Sequence, residues 1–517
     1  MMNRSQRVLA VFAAAWALAA GGTARAWAAP ADVTVYPAGN GGDQADALQR
    51  ALDALQTGQR LVLAPGQYAV GRSLIVRNTQ VVVSGYGATL VATNDADQTI
   101  EMRGQNSTLV GVTLVGTGAT RLSTPESAKV DVTGAGVQVL DVTVRGGASA
   151  GIFVFGGADV AIVGNTVQDT LADGIHATYG SRNVLVRDNT VRNTGDDMVA
   201  VVSYQADGKL SSNVLIQNNK LLGNHWGRGA TVVGGADVTI TGNTVQNVQK
   251  AAGILVGQED GWNTYDARNV IVSNNTVSEI ELPDPNNTRS PAYMAAIDVN
   301  TWSGKATGVS VTDNRISRVQ YAGIRALGNV CQLRVSRNAL ASIGDTPIAL
   351  QQAPGCAAGQ IVCVANTLDG AALASPAGCS ATDGLTITGA NVARLPQVRE
   401  YLRQALSGFG PRVVCRPFAV AHRGSFRDGR VGPRVASARE PEWTRRVAAA
   451  SRDGGGAAAR MARRVFASRR EARLRRAAAR DVRARASRSR CDGPRPARPR
   501  NAACGPTRTH TQAGSRR

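Results

Sequence analysis

Rings and charges are both scarce in this sequence: aromatic residues make up 4% of its 517 positions and charged residues 18%. What apolar content there is comes in short runs between abundant Gly, Asn and Asp, which fits a turn-rich β protein better than a helical one. None of the seven cysteines forms a C-x-x-C pair, so the common structural-zinc and redox motifs are excluded. Apart from Val8–Ala20 no apolar stretch approaches the length of a membrane span, and Val8–Ala20 itself falls short of one. A leucine frame is also missing. Lysine is absent from residues 421–517, which carry 27 Arg and 7 acids, a net charge of +20. Subtracting these from the totals of 58 and 37 leaves 31 basic and 30 acidic residues in 1–420, a net of +1. The basicity of the chain therefore belongs to its tail. No base-reading motif accompanies it, so no nucleic-acid partner is expected. Residues 421–517 read as a low-complexity, disordered extension, or as an out-of-frame reading of GC-rich DNA.

The amino terminus has the layout of a secretory leader. Arg4 and Arg7 precede the apolar stretch, and Ala24-Arg25-Ala26 and Ala26-Trp27-Ala28 each offer a small-residue exit. Residues 1–29 are assigned to that leader, and the mature protein is expected to be secreted or periplasmic, with no membrane span. In that setting Cys331, Cys356, Cys363, Cys379 and Cys415 could form one or two disulfides that staple a loop-rich end. Their connectivity stays open.

The body, residues 30–420, is organised by a repeat. "VAIVGNTV" (160–167), "VLVRDNTV" (184–191), "VLIQNNKL" (214–221), "VTITGNTV" (238–245), "VIVSNNTV" (270–277), "VSVTDNRI" (309–316) and "LRVSRNAL" (333–340) are variants of one phrase. Its asparagines fall at 165, 189, 219, 243, 275, 314 and 338, with shortest gaps of 24 residues. Val, Ile and Thr dominate, which favours strands over the leucine-rich alternative. Strands this short bury an apolar face only by stacking, so the predicted architecture is an all-β, right-handed parallel β-helix with three short strands per coil. Asn suits both the left-handed turn conformation and amide stacking between coils. Amphipathic patterns near 43–55 and 396–407 predict helices that cap the two ends.

The repeat also fixes which side chains stack. Asp173 lies eight positions after Asn165, and Asp197 eight after Asn189, so the two hold one place on adjacent coils. Asp196 precedes Asp197, and His225 follows Asn219 by six on the next coil. These segments show no basic neighbour for the carboxylates, and like charges held together push their titrations apart, as acid/base catalysis requires. A Ca²⁺ site is the competing reading of such a cluster; otherwise no cofactor is expected.

"ADGIH", "NTGDDMVAV" and "GNHWGRG" on successive coils resemble the polygalacturonase-type glycoside hydrolases (family 28) of the pectate-lyase-like β-helix superfamily. Their Asn-Thr-Asp stands here as Leu171-Ala172-Asp173, and their Gly-His-Gly is interrupted by Trp226. The resemblance implies that Asp196 is the general acid, that Asp173 and Asp197 hold and deprotonate water, and that His225 supports the acid. It implies hydrolysis with inversion, for which the two carboxyls stand roughly 6.5–9.5 Å apart. The family's Arg-x-Lys clamp has no clear counterpart, although Lys250 and Arg325 lie near where one would fall. Candidate substrate-binding residues are His176, Tyr204, Trp226, Arg228, Lys250 and Trp262, several of them aromatics on inserted loops. A monomer acting on a poly- or oligosaccharide is the expectation. A lyase or uronate epimerase of the same fold, served by Tyr179, Lys209 or Arg228, and a non-catalytic adhesin are the alternatives.

Overall fold

The computed structural model describes residues 31–398, apart from residue 287 and residues 354–359. The expected leader (1–29), nearly all of the closing helix expected near 396–407, and the basic tail lie outside them. Three sheets run along the described chain, each strand pairing parallel with the equivalent strand one coil on, except the last, Ala371–Ala372, which folds back antiparallel on Thr367–Leu368. The first sheet has 13 strands, from Val33–Val35 to Ile361–Val364. The second also has 13, from Gly66–Val70 to Ala371–Ala372, and the third has 11, from Leu74–Val76 to Ile348–Gln352. This is the parallel β-helix the repeat predicts. Helix Ala45–Ala54 closes its start, burying Ala45, Leu48 and Leu52 against the first coils. Among the described residues no helix is long and apolar enough to cross a membrane.

Alternating side chains explain the core. In strand Ile175–Thr178, Ile175 and Ala177 join Ile152, Val154, Val199 and Val201 in a continuous apolar column. From the coil that starts at Ala158–Val163 onward, the turn between the first and second sheets is two residues long, and its two residues divide the work. The first is left-handed: Gly164, Asp188, Asn218, Gly242, Asn274, Asp313 and Arg337 all have φ between 53° and 71°. The second is the repeat asparagine, buried and bonded to its neighbours. Each Nδ2 donates to the Oδ1 of the next asparagine at 2.9–3.0 Å, from Asn165 to Asn338. The sequence reading assigned both roles to one residue; the left-handed turn falls one place earlier. An eighth rung, Asn366 in "VCVANTL", continues the ladder from Asn338.

Longer insertions are placed differently. Residues 93–99, 116–129 and 281–296 lead from the second sheet into the third, and 203–211, 259–266 and 302–305 lead out of the third into the first. The outer face of the third sheet is therefore a floor between two rims of loops. One file of that floor, in register, is Phe153, His176, Ala200, Thr231, Leu255, Asp298 and Arg325. Cys363 and Cys379 form a disulfide at the last coil, and Cys331 is disulfide-bonded as well.

Candidate active site

The floor's entry edge holds one place per coil, two residues before each third-sheet strand. Backbone bonds trace it from coil to coil: Gly151 N–H to Asp173 O, Gly174 N–H to Asp197 O, Met198 N–H to Arg228 O, and Gly229 N–H to Ala252 O. Its occupants are Ala150, Asp173, Asp197, Arg228, Ala252 and Ala295 in order. The chain turns into the core here, so the place is buried, and the coils on either side of the Asp173–Arg228 run fill it with alanine: Ala128 and Ala150 before it, Ala252 and Ala295 after it. Asp173 and Asp197 are 8% and 4% exposed in that setting. Burying carboxylates where a methyl group suffices costs stability, so they are held for something other than the fold.

The predicted stacking of Asp173 on Asp197 is present. The Asp197 backbone N–H donates to Asp173 Oδ1 at 2.9 Å, and each of Asp173, Asp196 and Asp197 places an oxygen within 4.8 Å of the other two. That cluster is tighter than the water gap expected for inversion. Gly195 permits it: a Cβ there would lie 2.4 Å from the Leu171 carbonyl oxygen on the coil below. Gly227 does the same from above, where a Cβ would come within 2.4 Å of both Asp196 Oδ1 and Asp197 Oδ1.

Two expectations are corrected by the geometry. The imidazole beside the triad is His176, not His225. His176 Nδ1 bonds Asp173 Oδ2, its ring packs on Phe153 at 5.3 Å, and its buried Nε2 has no hydrogen-bond partner among the described residues. The charges acting on His225 are instead Asp169 and Arg289, and burial leads in lowering its pKa. His225 follows Asn224, which pairs with Thr194, so it takes the register place of Gly195 rather than that of an acid; between that pair and Val199–Ala230 this coil has one extra residue, six steps against five. That insertion brings Arg228 into the place below which Asp197 and Asp173 stack.

The carboxylates are also not without cations. Arg121, from the 116–129 loop, sets Nη1 2.7 Å from Asp196 Oδ2. Arg228 donates its backbone N–H to Asp197 Oδ1 at 2.6 Å, holds Nε 3.1 Å from the same oxygen, and reaches Glu259 at 3.5 Å. Arg121 and Glu259 were missed by sequence reasoning. Arg121 is 75 residues from its partner, and nothing in its loop repeats. With two guanidiniums already supplied, the chemistry of the cluster fits internal neutralisation better than the Ca²⁺ alternative, although each aspartate offers a ligand oxygen.

The electrostatics separate the three acids. Burial works to raise the Asp173 pKa, but His176, Arg121 and Arg228 outweigh it and hold the group below the usual carboxylate range. Asp197 goes the other way: burial, with Asp196 and Asp173 adding to it, raises its pKa well above normal despite Arg228. Asp196 is the member whose side chain reaches the surface, at 20% exposed against 6% for Asp197. Tyr204 lies within the field of Asp173 and Asp196, and burial first, then those charges, raise its pKa.

Other candidates lie on the rims. The Lys250 ammonium sits 3.3 Å from the centre of the Trp226 ring, so these two engage each other. Lys209 covers Tyr179 at 4.1 Å in the same way. Arg325, considered as a clamp, is committed to the fully buried carboxylate of Asp298. Trp262 is 39% exposed on the turn Asp260–Trp262.

The family profile described as "Right handed beta helix region" matches residues 79–277 and 128–384. No curated protein matches the sequence. Among solved structures, an aspartate-to-alanine variant of the catalytic domain of a GH87 α-1,3-glucanase with bound tetrasaccharides is 15% identical, TM-score 0.50, covering 65% of this chain and 68% of that one. The catalytic unit of the thermostable GH87 α-1,3-glucanase from Streptomyces thermodiastaticus is 20% identical, TM-score 0.44, covering 71% of each chain. The A-module of Azotobacter vinelandii mannuronan C-5 epimerase AlgE6 is 16% identical, TM-score 0.44, covering 65% and 96%. At these identities the likeness is one of fold.

Proposed function

The chain belongs to the right-handed β-helix family, and on that scaffold we propose that it is an exported glycoside hydrolase acting on a poly- or oligosaccharide through Asp173, Asp196 and Asp197. The observation that carries the proposal is the burial of two stacked carboxylates at a place the neighbouring coils fill with alanine. Opposite pKa shifts on Asp173 and Asp197 support it, because a site with one ionised and one protonated acid can give and take protons in a single reaction. The solvent-reaching Asp196 is the general acid that protonates the glycosidic oxygen. Asp197 is the neighbouring proton store, and Asp173, kept ionised by His176, orients the attacking water and takes its proton as the water oxygen bonds to the anomeric carbon. Arg121 is then displaced from Asp196 by the substrate, since a general acid must hold its proton until the bond breaks. Export is supported by the leader at 1–29 and by the Cys363–Cys379 disulfide.

The test is Asp196→Asn in the full chain. Loss of a general acid lowers the rate by about 10²- to 10⁴-fold, read as reducing-end release on a polysaccharide panel. Undiminished cleavage refutes the assignment. The anomeric NMR signal of the first product reads the stereochemistry. One observation favours a second reading, a uronate lyase or epimerase: Tyr204, His176 and two guanidiniums converge beside the acids. A 4,5-unsaturated product absorbing in the near ultraviolet would select that reading over hydrolysis.

A further inference from the structure

Three coils beyond Asp197, on the same floor, lies a cleft of about 350 Å³ lined by Glu259, Tyr293, Asn300, Trp302, Arg325 and neighbouring apolar side chains. Its two rings are the most exposed of the rims, Trp302 at 67% and Tyr293 at 61%. Rings left in water normally sit on loops free to move, but these two are held by hydrogen bonds to polar side chains, of which Glu281 and Gln258 are buried. Glu281, 4% exposed, accepts the backbone N–H groups of Ala292, Tyr293 and Met294 at 3.0–3.1 Å. Tyr293 itself is held at φ 57°, a left-handed conformation costly for a bulky residue. On the opposite rim Gln258 Oε1 accepts the backbone N–H of Gly304 at 2.8 Å, and Asp260 accepts the Ser303 hydroxyl at 2.6 Å, fixing the turn that carries Trp302. The fold therefore spends strain and side-chain hydrogen bonds on presenting two aromatic faces to solvent.

The charges of the cleft are already balanced. Arg325 gives Nε and Nη2 to Asp298 and Nη1 to the Tyr293 carbonyl oxygen at 2.9 Å. Glu259 is paired with Arg228 of the acid cluster. Among the described residues no cation lining the cleft is left for an anionic ligand, while Asn300 and Glu259 offer polar groups and the rings offer stacking surface. Resting on the glycosidase reading above, we infer that this cleft is a distal subsite for a neutral pyranose of the substrate, and that the preferred substrate is a neutral glycan rather than a uronate polymer. Three inter-coil steps at ~4.8 Å set the cleft about 14 Å from Asp197 along the solenoid axis. A short oligosaccharide laid along that axis reaches both, passing Glu259, which belongs to each.

The experiment is calorimetric titration of the full chain carrying Asp196→Asn with neutral tetrasaccharides of glucose, mannose and galactose, with tetragalacturonate, and with the matching disaccharides. A neutral tetrasaccharide is expected to bind more tightly than tetragalacturonate. Adding Trp302→Ala is expected to weaken it about threefold to tenfold, the range for loss of one aromatic stacking contact. Trp302→Phe should restore most of the affinity, and disaccharide binding should be unchanged by either. Tighter binding of tetragalacturonate, no binding of any neutral probe, or no effect of Trp302→Ala on tetrasaccharide binding overturns the inference. The titration reads binding alone, so hydrolysis persisting in Asp196→Asn would overturn the catalytic assignment and not this one.

Discussion

Replacing Asn219 by alanine removes one rung from the middle of the asparagine ladder, and the cost can be worked out bond by bond. Asn219 Oδ1 accepts the Asn189 backbone N–H and one hydrogen of Asn189 Nδ2, both at 2.9 Å. Its own Nδ2 donates to the Val186 carbonyl at 3.0 Å and to Asn243 Oδ1 at 2.9 Å. On the acceptor side the damage is limited, because Asn243 Oδ1 keeps the Asn219 backbone N–H at 2.9 Å. On the donor side it is not: the Asn189 N–H and one amide hydrogen are orphaned in a place 1% exposed. Each orphan costs about 1–3 kcal/mol, so Asn219→Ala is expected to destabilise by about 2–6 kcal/mol. That is a large part of the ~5–15 kcal/mol typical of a folded protein. Urea denaturation followed by circular dichroism measures it, with Lys220→Ala, the exposed next residue, as a control expected within about 0.5 kcal/mol of wild type. A loss below about 1 kcal/mol for Asn219→Ala would show that water or backbone relaxation replaces the ladder bonds, and the reasoning would be wrong.

Three other outcomes follow from the site. Asp197 has a folded-state pKa raised above its unfolded value, so its contribution to stability is present at low pH and is lost as pH rises through the folded value. Asp197→Asn should therefore gain stability relative to wild type as pH rises from the unfolded value of 3.8 through the raised folded one, and a pH-independent difference would contradict the burial argument. Asp173 has the opposite sign: its stabilisation is present above the unfolded value of 3.8 and is lost as pH falls through the lowered folded one. Asp173→Asn should consequently destabilise at pH 7 and converge on wild type in strong acid, as read by thermal unfolding at each pH. Gly227→Ala puts a methyl group against Asp196 and Asp197 and should abolish activity while leaving the far-ultraviolet spectrum intact, whereas full turnover by that variant would mean the acids can separate freely.

The coils, the ladder and the stacking of the aspartates were legible in the sequence because each repeats with the period of the coil. The partners of the acids were legible only in part. Counting eight from Asn219 lands on Gly227, but one residue inserted between Asn224 and Ala230 puts Arg228 in that place instead, while His225 keeps its count and stands beside the place of Gly195. Counting back from the strand starts would have found the partner, because Asp173-Gly174-Ile175, Arg228-Gly229-Ala230 and Ala252-Gly253-Ile254 share one pattern. His176 was chosen for a substrate role, yet its position three residues past Asp173 on a strand edge already allowed the contact it makes. Arg121 carried no such signal: it comes from an insertion, and insertions obey no period. Asn366 was overlooked because its strand follows the irregular stretch around Cys356 rather than another clear copy of the phrase.

The asparagine turn has a consequence for how such a protein can change. Successive rungs are separated by as few as 24 and as many as 39 residues, yet the amide bonds across them stay between 2.9 and 3.0 Å. Whatever length an insertion adds on the floor side, the chain returns to the same two-residue corner and register is reset before the next coil begins. Errors in length do not accumulate along the solenoid. The rims around the acids can thus be lengthened, shortened or exchanged one at a time, which makes this edge a spine for grafting new recognition loops without redesigning the coils that carry them.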